Sequence, residues 1–220
     1  PNGSFYTFTS RLGLDVTGPD IGKARSSAKI ETDFGGFSGS NTMLRIRQAY
    51  VNLDWGKSAV LVGITWHPLF GAVMPDVLNL STGAPFQPFN RSPQIRYQYK
   101  ANSRVQLTAS VLWQLQYLSS GPKGMSEDYI KNSCIPEMFV GADFTPADGW
   151  LMGLGAHMIS LKPRTSTEWK EQTFKVNERM TAFSYEAHLK YSGRNYTFAA
   201  KTLMASALDH TALLGGYGVS

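Results

Sequence analysis

The chain has 220 residues with 21 Lys and Arg, 16 Asp and Glu, and a net charge of +5; hydrophobic residues make up 42%, aromatics 12% and charged residues only 17%. That balance excludes a disordered chain, a coiled coil and a collagen-like repeat. The basic excess is small and scattered, without the stripe or tail of a nucleic-acid binder, and the single Cys134 allows no intrachain disulfide.

Period-two alternation, the signature of a strand with two unlike faces, recurs along the whole chain. In the first segment Tyr6, Phe8, Leu12, Leu14 and Val16 oppose Thr7, Thr9, Arg11 and Asp15. In the second, Ala28, Ile30 and Phe34 oppose Arg25, Lys29, Glu31 and Asp33. In the third, Ala49, Val51, Leu53 and Trp55 oppose Gln48, Tyr50, Asn52 and Asp54, but Arg45 and Arg47 fall in the apolar parity. A β-bulge near Gln48 restores the pattern and re-aims both arginines. Val60, Val62, Ile64 and Trp66 follow, then Ile95, Tyr97 and Tyr99 opposite Gln94, Arg96 and Gln98. Residues Ser58 to Pro75 carry no formal charge, yet Gly63, Pro68, Gly71 and Pro75 make this a strand entering a loop, not a spanning helix.

The clearest alternation runs from Val105 to Tyr117. After it come Met138 to Phe144, Trp150 to Met158, Phe183 to Tyr191 and Tyr196 to Lys201, which brings the total to about ten strands. They are long, about 9 to 13 residues against about 5 to 6 in soluble proteins. Their connections alternate between tight turns, near 56–57, 101–103, 145–149 and 192–195, and long polar loops near 67–92, 118–133 and 162–178. Trp55, Trp66, Tyr99, Trp113, Tyr117, Trp150, Tyr191 and Tyr196 fall near strand ends, as interfacial aromatic girdles require.

These features predict an all-β chain: a transmembrane, antiparallel, up-and-down β-barrel, apolar outward to lipid and polar inward to a wet lumen. By parity Arg11, Lys29, Glu31, Glu186 and Lys201 line that lumen, as do Asp15, Asp33, Glu137 and Asp143. A soluble β-sandwich or lipocalin-like binder would show the same parity with its faces exchanged. Residues Leu214 to Ser220 read as the start of a further strand, so residues 1–220 are expected to form part of one larger barrel domain.

The histidines His67, His157, His188 and His210 show no metal-ligand spacing and no HExxH. A lumen hydrogen bond is the expectation for His157 and His188, which lie in the inward parity of neighbouring strands. No cofactor site and no nucleophile–His–Asp arrangement is evident, so no enzyme is predicted. Cys134, before Ile135-Pro136, is expected to have a packing role.

The run from Leu44 to Tyr99 resembles the DcaP-like trimeric porins of the general Gram-negative porin superfamily. The pieces are Leu-Arg-Ile-Arg-Gln-Ala-Tyr-Val at 44–51, Gly63-Ile-Thr-Trp66, Pro75-Asp76 and Leu78, Gly83 and Pro85, and Arg91-Ser-Pro-Gln-Ile-Arg-Tyr97. The use of Tyr, Asn, Gly and Lys is similar to that of Bacteroidota porins. The resemblance implies an outer-membrane barrel of roughly sixteen strands, a homotrimer, with the 67–92 loop folded into the pore or facing outside. It implies passive diffusion of small hydrophilic solutes, with anions such as dicarboxylates favoured by constriction arginines. Arg45, Arg47, Arg91 and Arg96 are the candidates, and Asp76 is the facing carboxylate or a turn cap. The alternative within the same fold is a plugged barrel acting in adhesion or assembly.

Overall fold

The computed structural model describes residues 10–35, 43–71, 73 and 88–213. In chain order the elements are β1 (Arg11–Thr17), β2 (Arg25–Asp33), β3 (Arg45–Asp54), β4 (Ser58–Trp66), β5 (Arg91–Lys100) and β6 (Val105–Leu112). A small hairpin, β7 (Ser120–Gly121) and β8 (Gly124–Met125), and a short helix α1 (Asp128–Ser133) come next. Then follow β9 (Glu137–Phe144), β10 (Trp150–Leu161), a second hairpin β11 (Ser166–Trp169) and β12 (Gln172–Lys175), β13 (Met180–Ser192) and β14 (Thr197–Met204). Ten strands form one sheet in the order β1-β2-β3-β4-β5-β6-β9-β10-β13-β14, and each sequential pair is antiparallel. β1 and β14 are the edges of this sheet among the described residues.

The two faces of the sheet are inverted relative to a soluble protein. Leu154 is 67% exposed, Leu14 59% and Phe183 54%, whereas Glu137 is 1% and Glu186 5% exposed. The exposed stripe continues through Val51, Val62, Ile95, Leu107, Val140 and Phe198. Such a band in water would drive association, at about 25 cal/mol per Å² of apolar surface. Against lipid it has no such cost, and the charged face turns inward. A sandwich needs a second sheet on the apolar face, and none is found among the described residues.

Turns and loops sort to opposite edges as expected. The connections at 55–57, 101–104, 145–149 and 193–196 are tight, while those at 67–90, 113–136 and 162–179 are long. Local chemistry sets the turns: the Asn102 side-chain oxygen accepts from the backbone N–H of Arg104 and Val105 at 2.8 and 2.9 Å. Trp150, Tyr191 and Tyr196 stack at the turn edge, with centroids 4.8 and 5.7 Å apart, in keeping with a girdle.

The predicted bulge is present. Glu31 pairs with Gln48 but Thr32 pairs with Ile46, so Arg47 is the extra residue on β3. β4 carries a second irregularity at Gly63, whose φ is 137° and where a Cβ would stand 2.2 Å from the Ala49 carbonyl oxygen. Gly63→Ala is therefore expected to destabilise the protein by about 1–3 kcal/mol, measured as a lower denaturant midpoint in detergent micelles.

Three expectations need correction. β6 ends at Leu112, so Leu115 and Tyr117 lie outside it: the Gln114 side chain turns inward to Ser119 and Glu137, both at 2.8 Å, and draws the chain off the sheet. Trp66 stacks on Phe70 at 4.1 Å, so protein rather than lipid covers its ring. Cys134 is exposed, not packed in a core: it ends α1 in the left-handed conformation (φ 56°) and its thiol donates to the Lys131 carbonyl at 3.3 Å. The long connections also hold α1 and the two hairpins. Tyr129 and Ile130 of α1 pack on Ile159, Leu161 and Ala182 at the loop ends of β10 and β13. Tyr6 to Thr9, Leu214 to Ser220, Asp76 and most of the 67–92 loop lie outside the described residues.

Candidate functional site

The polar face holds four groups of charged and titratable side chains. The first lies across β1, β2 and β3. Arg45 makes a two-pronged contact with Asp33 (3.0 and 2.8 Å), and Arg47 reaches Glu31 at 2.8 Å as well as Asp33. Toward the edge, Arg11 approaches Glu31 at 3.7 Å and Lys29 pairs with Asp15 at 3.1 Å. The bulge places both arginines on the side of these carboxylates, so the predicted inward residues meet as a ladder of alternating sign.

The second group is centred on Glu137, at the loop end of β9. Its Oε1 accepts from Gln114, while Oε2 faces the Nε2 atoms of His67, His157 and His210 at 3.3, 3.2 and 3.1 Å. All four side chains are fully buried or nearly so. His67 leads into the turn Pro68–Phe70, and its Nδ1 accepts from the Leu69 N–H at 3.2 Å, leaving the ring proton on Nε2 toward Glu137. Burial pulls the His67 imidazole down to about 4 despite that carboxylate. Burial also pulls on His210, but the Glu137 charge and hydrogen bond outweigh it and hold His210 above its usual value. His210 sits in the turn Asp209–Thr211, which crosses to the other loop: Phe89 N–H donates to the Thr211 carbonyl at 2.6 Å and Asn90 to that of His210 at 3.1 Å.

The third group lies on β9, β13 and β14. His188 stands 3.0 Å from Asp143, and Lys201 stands 3.1 Å from Glu186. Lys201 also donates to the carbonyl oxygens of Leu69 and Phe70. Inward glycines on β10 make room here: a Cβ at Gly153 would stand 2.3 Å from the His188 ring, and one at Gly155 2.7 Å from Phe139. A cavity of about 330 Å³ opens beside this group, lined by His67, Arg96, Asp143, Glu186 and His188 among others.

Arg91 and Arg96, five residues apart on β5, form the fourth group but have different surroundings. Arg96 faces the cavity and donates to Gln94 Oε1 and, at 2.6 Å, to the Trp66 carbonyl. Arg91 is buried under aromatic rings, 5.0 Å from the Trp66 centroid and 5.9 Å from those of Phe89 and Tyr117, and it donates to the Tyr117 hydroxyl at 2.9 Å. It lies near enough to Arg47 and Arg45 for their charges to act on it. His157 makes the expected hydrogen bond, to Glu137, whereas His188 meets Asp143 as an ion-pair contact at 3.0 Å. The convergence of His67 and His210 on Glu137 has no sequence signal, because the three histidines are 20 to 73 residues from residue 137.

No known family profile matches the chain, and no curated protein matches it. Among solved structures it is similar to a loop-deletion form of OmpT, an outer-membrane protein of Vibrio cholerae, with 14% identity and a TM-score of 0.52 over 90% of this chain. The chain spans 63% of the length of that protein. A mutant porin of Rh. blastica aligns over 88% of this chain and 83% of its own, with 10% identity and a TM-score of 0.30. The first likeness supports the fold alone, that of an up-and-down antiparallel β-barrel wall.

Proposed function

We propose that the chain forms the wall of a porin in the bacterial outer membrane, through which small hydrophilic solutes diffuse passively, without a cofactor and without catalysis. The observation that carries this reading is the inversion of the sheet: an exposed apolar band on one face and buried Arg, Lys, Glu, Asp and His on the other. Such a wall suits a wet lumen between lipid-facing strands. Arg45, Arg47 and Arg91 form the positive end of the transverse field and Arg96 adds to the cavity wall, which favours small anions such as dicarboxylates. A homotrimer follows the resemblance to the DcaP-like group, which rests on the residue pattern at 44–97.

Conductance in planar bilayers tests the reading, and discrete channel steps are expected. The Arg45→Ala, Arg47→Ala double variant is expected to shift the reversal potential toward cation preference in a salt gradient. An unchanged potential removes these residues from the filter. The second reading, a plugged barrel acting in adhesion or assembly, is favoured by the segments 67–71, 88–90 and 209–211, all packed on the polar face. A folded, membrane-inserted protein without conductance would select it.

A further inference from the structure

The Glu137 cluster has more than the lining of an aqueous wall requires. Three imidazole Nε2 atoms from three separate chain segments end on a single carboxylate oxygen, at 3.1 to 3.3 Å, while Gln114 occupies the other oxygen. The donor atoms of His67, Glu137 and His157 all lie within 4.8 Å of one another. Ligands on one tetrahedral zinc ion, each about 2.0–2.1 Å from it, stand roughly 3.3 Å apart. The distances from Glu137 Oε2 to His67 and His157, 3.3 and 3.2 Å, match such edges. The Nδ1 atoms of His157 and His210 have no hydrogen-bond partner among the described residues, so what lies at Nε2 sets the pose of both rings.

We propose that His67, Glu137 and His157 bind one divalent first-row transition-metal ion, zinc or a near neighbour, with His210 adjoining the site through Glu137. Imidazole with one carboxylate suits such ions and suits calcium or magnesium poorly, since those prefer all-oxygen shells. The cavity lined by His67, Asp143 and Glu186 gives an approach from the polar face, and its carboxylates raise the local cation concentration. Coordination at His67 Nε2 displaces the proton there. The ring then carries its proton on Nδ1, and the Leu69 N–H loses its acceptor. The ion would thus join the end of β4 to β9 and β10 while loosening the turn at Pro68–Phe70.

The full chain, folded in detergent micelles and stripped with EDTA, is titrated with Zn²⁺ by calorimetry and with Co²⁺ by visible absorption. One ion per chain and a four-coordinate Co²⁺ spectrum are expected. Glu137→Gln and His157→Gln should each weaken Zn²⁺ binding roughly 100-fold or more, since even residues outside the ligand set cost 10–100-fold. Heat-dependent gel mobility checks the fold of each variant, and the wild-type Co²⁺ spectrum decides the matter if neither folds. Cys134→Ser should bind as wild type, because the thiol is exposed and outside the ligand group. Absence of saturable 1:1 uptake by the wild type overturns the proposal. So does uptake unchanged in both folded variants or lost in Cys134→Ser.

Discussion

Replacing Glu137 with leucine is expected to be the most destabilising single change on the polar face. Glu137 is 1% exposed, and its two oxygens face one amide and three imidazoles. The leucine leaves His67 and one N–H of Gln114, whose other contact is Ser119, as buried donors without an acceptor, at about 1–3 kcal/mol each. It also removes the carboxylate that faces His210 Nε2 at 3.1 Å. A loss of about 4 kcal/mol is expected, read as a lower urea midpoint for EDTA-treated protein in micelles. Glu137→Gln keeps an acceptor in place and should lose less than half as much. If leucine and glutamine cost the same, the convergence on Oε2 is not what stabilises this end of the sheet.

Lys201→Met is the second large effect, and it acts on two properties at once. Lys201 is the cation at 3.1 Å from Glu186, which is 5% exposed, and it holds the carbonyl oxygens of Leu69 and Phe70. Removing it leaves a buried carboxylate whose remaining neighbour, His188, is 3.7 Å away. A cost of about 3 kcal/mol is expected, as for breaking a buried pair from one side. The turn Pro68–Phe70 also loses its tether to β14 and can swing from the polar face. Single-channel conductance should therefore rise above that of the wild type. A stable variant with unchanged conductance would show that the turn does not narrow the path.

The strands were legible because a wall between lipid and water forces every residue to choose a side, and the choice repeats every second position. That repeat located all ten strands of the sheet, and its one failure, at Arg45 and Arg47, located the bulge. The same repeat is silent on which face is inside, which burial of Glu137 and Glu186 against exposure of Leu154 resolves. It also fails where side-chain chemistry breaks the pattern. Leu115 and Tyr117 continue the alternation of β6, yet Gln114 is drawn to Glu137 and the strand stops at Leu112. α1 is too short for a helical period to emerge from its six residues. The histidine cluster was illegible for a different reason: His67 and His210 reach Glu137 through loops folded over the sheet, and loop paths leave no periodic trace.

The extra residue in β3 has an effect on charge density. A regular pleat offers each face one side chain every two residues, about 6.8 Å apart, so a strand cannot crowd its inner side. Gln48 and Arg45 would both point inward in an unbroken alternation with Ile46 outward, if Arg47 were simply absent. Arg47 is thus a supernumerary side chain, added to the inner surface without turning any neighbour over. Through it, β3 matches the two carboxylates of β2, Glu31 and Asp33, with two guanidiniums instead of one. Excision of Arg47 would leave a more regular strand and a wall one positive charge poorer at that depth.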